Sequence, residues 1–249
     1  MRLTADIALV GGGSFTGFGL SGDFDAHVYL LDGGDEAALV DCGMGTASGT
    51  ERVLANIRDA GVDPVRVRRI LLTHYHTDHA GGASRYRSLL GARVAIAADA
   101  ADALATGDHE ATQFASGKAA GFFAADYDYA ACPVDDRLTD GDELRVGRLT
   151  VRFLATPGHC RGHGAYLVSG PAGRALLTGD ALFAGGRIQL QAIPDCDLGA
   201  SLATIRRLAG ESFDALLPGH GPIALVDGPA HVTAATSLMD GLGVPPNRV

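Results

Sequence analysis

The sequence has no tryptophan, a single lysine (Lys118), and four cysteines (Cys42, Cys132, Cys160 and Cys196) that never fall into a Cys-x-x-Cys pair. Isolated thiols of this kind argue against a disulfide framework and for a reducing compartment. Basic residues are short as well: 20 lysines and arginines against 29 acidic residues leave a net charge of −9. A chain without a basic face is poorly matched to a phosphate backbone, so no nucleic-acid partner is expected. No apolar run approaches the roughly 18 residues that a membrane helix needs. The opening MRLTADIALVGGG lacks the apolar segment of a secretory leader. These absences together predict a cytoplasmic protein with no membrane partner.

What the chain has in quantity is glycine, 35 of 249 residues, set between short apolar runs. HVYLLD–GGDE–AALVDCG, LRVGRLTVRFLATPG and GAYLVSGPAGRALLTGD each read as two strands joined by a turn. Between them lie helix signals. Ser48-x-x-Glu51 is a capping box ahead of Val53, Leu54 and Ile57, with Gly61 as the stop. Asp197 caps a helix carrying Leu198, Leu202, Ile205 and Leu208, ended by Gly210. Pro229 suits the first turn of a last helix over about 229–240. Apolar content of 47% over this length is enough for a large core. The expectation is one α+β domain over 1–249, a mixed sheet covered by helices. The alanine-rich stretch at about 99–130 reads as a helical insertion over one edge of it.

Gly17-Phe18-Gly19-Leu20-Ser21-Gly22 matches G-x-G-x-x-G, yet DFDAHVYLLD follows it, which reads as a strand. Dinucleotide binding needs a helix to begin there, so that its N-terminus meets the pyrophosphate. A glycine-rich loop is the better reading.

Residues 71–82, LLTHYHTDHAGG, end an apolar strand in three histidines and an aspartate. Clustered imidazoles repel one another when protonated and are costly to bury without partners, so a cation is the natural occupant. In extended chain, residues i and i+2 point the same way, so His74 and His76 can serve one cation. Asp78 and His79 follow and can face a second. His159, Asp180 and His220 each stand just behind an apolar strand and a glycine turn, as further candidates. The inventory is His74, His76 and His159 for one metal and Asp78, His79 and His220 for the other, with Asp180 able to bridge. Nitrogen and oxygen donors without thiolate suit zinc, with iron or manganese also compatible. Single histidines most often sit in solvated loops. Five of the chain's nine histidines, all placed behind strands, do not fit that pattern.

The set His74-x-His76-x-Asp78-His79 with His159, Asp180 and His220 resembles the metallo-β-lactamase superfamily, over roughly residues 5–240. The resemblance implies a four-layer αββα sandwich with a dinuclear site at one edge between two sheets. It also implies that Asp41, in LVDCG, lies near that site. By the same likeness His74, His76 and His159 hold the first metal, Asp78, His79 and His220 the second, and Asp180 both.

Two metals about 3.5–4 Å apart lower the pKa of a shared water towards neutrality. The expected reaction is therefore hydrolysis of a small thioester, ester or lactone by a metal-bridging hydroxide. Asp78 is the expected catalytic residue, orienting the nucleophile or passing on its proton. Asp180 stands where true β-lactamases of the family carry cysteine or serine, which argues against drug hydrolysis. TPGHCRGHGAYLVSG and LLTGDALFAGG resemble the glyoxalase II-like and dioxygenase branch, without room for the long C-terminal part that grips glutathione in glyoxalase II. FDALLPGHGP resembles small endoribonucleases, against which the acidic balance weighs. A mononuclear-iron persulfide dioxygenase is the alternative. A phosphodiesterase and a metal-dependent sensor without turnover are further ones. The partner is a small-molecule substrate, and a homodimer is a compatible assembly.

Around these ligands, His163, His27, Arg187, Phe122 and Phe123 are the candidates for substrate contact. Arg187 could pair with an anionic group, His163 could bond a ligand or face the pocket, and Phe122, Phe123, Tyr127 and Tyr129 could wall it. His109 and His231 read as surface residues.

Overall fold

The computed structural model describes residues 1–15 and 17–248. Six strands form the first sheet, in sequential order: β1 (Ile7–Gly11), β2 (Val28–Asp32), β3 (Ala37–Val40), β4 (Val67–Leu71), β5 (Arg93–Ala97) and β6 (Asp136–Leu138). Five make the second sheet, ordered β11-β10-β9-β8-β7: β7 (Glu143–Val146), β8 (Leu149–Ala155), β9 (Gly164–Gly170), β10 (Gly173–Gly179) and β11 (Ala215–Pro218). All three expected hairpins form, as antiparallel pairs β2–β3, β7–β8 and β9–β10.

The alternation along the second sheet explains the layering. Val151, Phe153, Tyr166, Val168, Ala175 and Leu177 face the first sheet in the main core. Leu154, Ala165, Leu167 and Leu176 take the opposite parity and pack with a second cluster that includes Ile205, Leu208, Val232 and Ala235. Period-two side chains thus bury both faces of one sheet.

Helices complete the outer layers. On the first sheet lie α1 (Ala47–Asp59), α3 (Ala83–Leu90) and α4 (Ala98–Thr106), with the short α2 (Thr77–Ala80) just ahead of α3 in the chain. The short α5 (Phe114–Ala119) stands farther along the chain, and α6 (Leu198–Leu208) and α7 (Pro229–Asp240) cover the second sheet. The result is the αββα sandwich. Asp197 caps α6 through Ala200 N at 2.8 Å, and Pro229 opens α7. One cap differs from expectation: α1 begins at Ala47, and Thr46 rather than Ser48 accepts from Gly49 N. Ser48 lies already inside the first turn, and two polar residues so close together make the boundary ambiguous in sequence. The 99–130 stretch contains most of α4 and all of α5, joined by turns. Ala100, Ala101 and Leu104 of α4 belong to the main core, so that part is not an appendage.

Strand direction decides where the histidines go. β8, β10 and β11 run the same way, since β8 and β10 each lie antiparallel to β9 while β10 and β11 are parallel. Their C-terminal ends share one edge, and His159, Asp180 and His220 follow them there. His74 arrives from β4, so the candidate donors come from both sheets. Cross-sheet bonds at that edge, from Gly164 N to Thr73 O (2.8 Å) and from His27 N to Gly219 O (2.7 Å), hold the two sheets in register.

Candidate metal centre

Seven side chains meet at this edge. His74, His76 and His159 bring one nitrogen each within 4.8 Å of the others, and Asp78, His79 and His220 do the same beside them. Asp180 stands between: Oδ1 lies 3.3 Å from His79 Nε2 and 3.4 Å from His220 Nε2, while Oδ2 lies 3.8 Å from His159 Nε2. His220 Nε2 is also 3.1 Å from Asp78 Oδ2. The donor atoms face one another rather than other partners. His76 Nδ1 and His159 Nε2 are 3.0 Å apart, and His79 Nε2 and His220 Nε2 are 3.2 Å apart. Two imidazole ligands of a tetrahedral zinc ion, at about 2.0–2.1 Å from it, would be separated by roughly 3.3 Å.

The fit to cations also shows in what is left unpaired. His74 Nε2 is buried with no hydrogen-bond partner, a costly state unless another ligand satisfies it. Gly219 shows the same from the backbone side. A Cβ there would lie 2.5 Å from Asp180 Oδ1 and 2.6 Å from His79 Cε1, so any other residue would intrude on the centre. Cys160, although next to His159, belongs to neither cluster, and burial pushes its thiol well up.

Electrostatics divides the two groups. Burial, reinforced by neighbouring imidazoles, holds His74 well below the ordinary histidine range and brings His76 to about 3; His159 is lowered by burial too. These rings are neutral and offer lone pairs. Burial also opposes charge on His79 and His220, but Asp180 and Asp78 outweigh it and raise both. Asp180 is in turn held well below the carboxylate range by His220 and His79, against its own burial.

A layer behind these donor side chains fixes their orientation. Asp41 adopts a left-handed backbone (φ 61°), which aspartate tolerates better than most residues. Its Oδ1 accepts from Thr73 N at 2.8 Å and its Oδ2 lies 2.8 Å from His79 Nδ1, leaving Nε2 aimed at the centre. Thr73 Oγ1 is 3.0 Å from His74 Nδ1, and Gln189 O is 3.2 Å from His159 Nδ1. Such carboxylate–imidazole and carbonyl–imidazole pairs fix tautomer and ring orientation in metal sites. The roles of Thr73 and Gln189 escape sequence reading because one acts beside its neighbour and the other through a main-chain carbonyl.

A cavity of about 520 Å³ opens onto the centre through His76 and Asp78, with Phe122 and Phe123 in its walls. Leu190 and Ile193 form another wall that the sequence did not announce. The other three substrate candidates lie elsewhere. His163 is buried behind the ligands: its Nε2 accepts from Asp180 N at 3.1 Å and its Nδ1 lies 2.8 Å from Thr156 Oγ1, so it faces the bridging residue and not this cavity. His27 is fully buried, with Nδ1 against Pro218 O (3.1 Å), because the β1–β2 connection folds over it. Arg187 is exposed and donates to Asn247 O at 3.1 Å, turned away by the backbone pairing of Ile188 with Asn247. Tyr127 and Tyr129 bond Met44 O and Tyr75 O as packing residues. His109 lies in the turn between α4 and α5, and His231 on α7 accepts from Gly185 N.

The family model of the metallo-β-lactamase superfamily matches residues 21–220, which include all seven side chains. The chain belongs to the metallo-β-lactamase superfamily. It is 30% identical over 189 residues to a hydroxyacylglutathione hydrolase of Dechloromonas aromatica, covering 76% of this chain and 56% of that one. It is 26% identical over 201 residues to an atrochrysone carboxyl ACP thioesterase of Aspergillus fumigatus, covering 79% and 51%. The chain thus spans about half the length of the curated relatives it matches. A subclass B3 metallo-β-lactamase of Bradyrhizobium japonicum superposes with a TM-score of 0.72 at 22% identity, over 97% of this chain and 91% of that one. At that identity the likeness is one of fold. Members of this superfamily bind divalent metals, and the two adjacent triads of this chain suit them.

Proposed function

We propose that this metallo-β-lactamase superfamily member is a hydrolase of small acyl thioesters, and of esters or lactones of similar shape. One observation carries the reading: two triads of metal-type donors share a single carboxylate, Asp180, at the foot of an open cavity. The thioesterase and hydroxyacylglutathione hydrolase relatives support the acyl-transfer class.

In this reading His74, His76 and His159 would hold one zinc ion and Asp78, His79 and His220 a second, with Asp180 available to either. A bound pair of such ions supplies Lewis acidity and brings water towards ionisation at neutral pH. The chain's own residues do the rest. Asp41, Thr73 and Gln189 O keep the imidazoles in the tautomers that present the ligating nitrogens. His163 anchors the Asp180 main chain, and with it the shared carboxylate. Asp78 is the ligand whose carboxylate is partly open to the cavity. The oxygen it does not turn to His220 takes the proton of the attacking water and delivers it to the leaving sulfur or oxygen.

Four free cysteines, three of them buried, support a reducing, cytoplasmic setting. Among the described residues no helix is long and apolar enough to cross a membrane. The test is elemental analysis of purified protein joined to a screen of thioesters, lactones and persulfides, with a penicillin as the expected negative. Two zinc ions per chain and thioester turnover that chelation abolishes are the expected result. One iron per chain with oxygen uptake on a persulfide would overturn it in favour of a dioxygenase.

A further inference from the structure

The cavity over the centre has a second property besides its position. Its far walls carry Phe122 and Phe123 from the segment after α5, and Leu190 and Ile193 from the loop facing them. Apart from His76 and Asp78 at the centre, the polar lining consists of hydroxyls and amides such as Ser116 and Gln191, and among the described residues no lysine or arginine lines it. The cations closest in sequence to these walls are engaged elsewhere. Lys118, on α5, donates to Tyr127 O at 2.8 Å and lies over the Phe114 ring, while Arg187 donates to Asn247 O. A negative charge at the far end of a substrate would therefore meet apolar side chains with no counter-charge or directed donor pair, and any water it gives up there is lost without compensation.

We infer that this site selects an uncharged, largely apolar acyl group, received between Phe122/Phe123 and Leu190/Ile193, and discriminates against acyl groups that end in a carboxylate. The inference rests on the hydrolase reading for its orientation, with the acyl carbonyl at the centre and the chain extending into the cavity. The cavity's volume of about 520 Å³ lies in the range of small-ligand pockets. Ser116 is exposed at its rim on α5, so a longer side chain can be placed there without entering the core.

The test uses product acids, so that it reads binding rather than turnover. Hexanoate and adipate, of equal chain length, are titrated calorimetrically into the zinc-loaded protein and into S116R. Hexanoate should bind the unmodified protein at least tenfold more tightly than adipate. S116R, which supplies the missing cation, should narrow that ratio about tenfold, chiefly by strengthening adipate. Adipate binding as well as hexanoate, no binding of either acid, or a ratio that S116R does not change would each overturn the inference. Loss of the hydrolase reading looks different: the binding preference stands while no thioester, ester or lactone is turned over.

Discussion

His74 and His76 stand in a group, with His159, in which burial and neighbouring imidazoles outweigh the carboxylates, although His159 also lies 3.8 Å from Asp180. His79 and His220 instead face Asp180 at 3.3 and 3.4 Å and share Asp78. The first group reaches neutrality because burial and mutual repulsion remove protons. The second retains affinity for protons because carboxylates surround it. The same residue type, at one edge of one fold, is thus prepared in two ways. The neutral group needs only a cation to satisfy it, whereas at the other a cation must displace protons. Asp180, touching both, is where the two meet.

The largest effect should come from breaking this junction. Asp180→Ala removes the shared carboxylate, and turnover should fall by on the order of 10³-fold or more, the scale reached when residues that act as a unit lose a member. Bound metal measured by elemental analysis should fall with it; full loading with undiminished turnover would show that the groups do not depend on Asp180. His76→Ala sharpens the comparison by striking one group only. Zinc content should drop from two ions towards one per chain, with activity lost in parallel.

A smaller effect is expected one layer out. Asp41→Asn keeps the shape but weakens the partner of His79 Nδ1, and the second metal's affinity should fall about 10–100-fold, with a smaller loss at the first through Thr73, which bonds both Asp41 and His74. Competition with a chromophoric chelator measures both steps; equal weakening of the two would deny that Asp41 acts chiefly through His79.

Acid stability separates the groups in the metal-free protein. The folded pKa of His76, about 3, lies below its unfolded value of about 6.5. The unfolded chain therefore binds the proton first, and stability drains away as pH falls from about 6.5 towards 3. His79 and His220 act with the opposite sign. Their folded values are raised, so their contribution is fully present below the unfolded pKa and is lost as pH rises through the folded one. Melting temperature against pH should accordingly rise across pH 4–6 less steeply in a His76→Gln variant. An unchanged acid limb would argue that His76 is not held neutral. The smallest effect lies away from the centre. Thr46→Ala should cost about 1 kcal/mol through loss of the α1 cap, with metal content unchanged.

Much of the scaffold could be read in the chain because its signals are local. Alternating apolar residues around glycine turns specified the hairpins β2–β3, β7–β8 and β9–β10, and Asp197 and Pro229 marked the starts of α6 and α7. The α1 cap was misplaced because Thr46 and Ser48 are both competent and only the backbone chooses between them. The substrate side was less legible. Arg187 follows Asp180 closely in sequence, yet its direction is set by Asn247, some sixty residues on. Leu190 and Ile193 carry no motif and become a wall only when the loop folds opposite the segment after α5.

Residue type and spacing alone determined that this chain carries metal-type donors behind its strands, because the covalent order of an extended segment fixes which side chains alternate and where a strand must end. Tertiary structure decided how they divide. The parallel course of β8, β10 and β11, and their packing against β4, sets the distances from Asp180 to each imidazole. Those distances, with burial, determine which rings stay neutral, and no local stretch of sequence contains them.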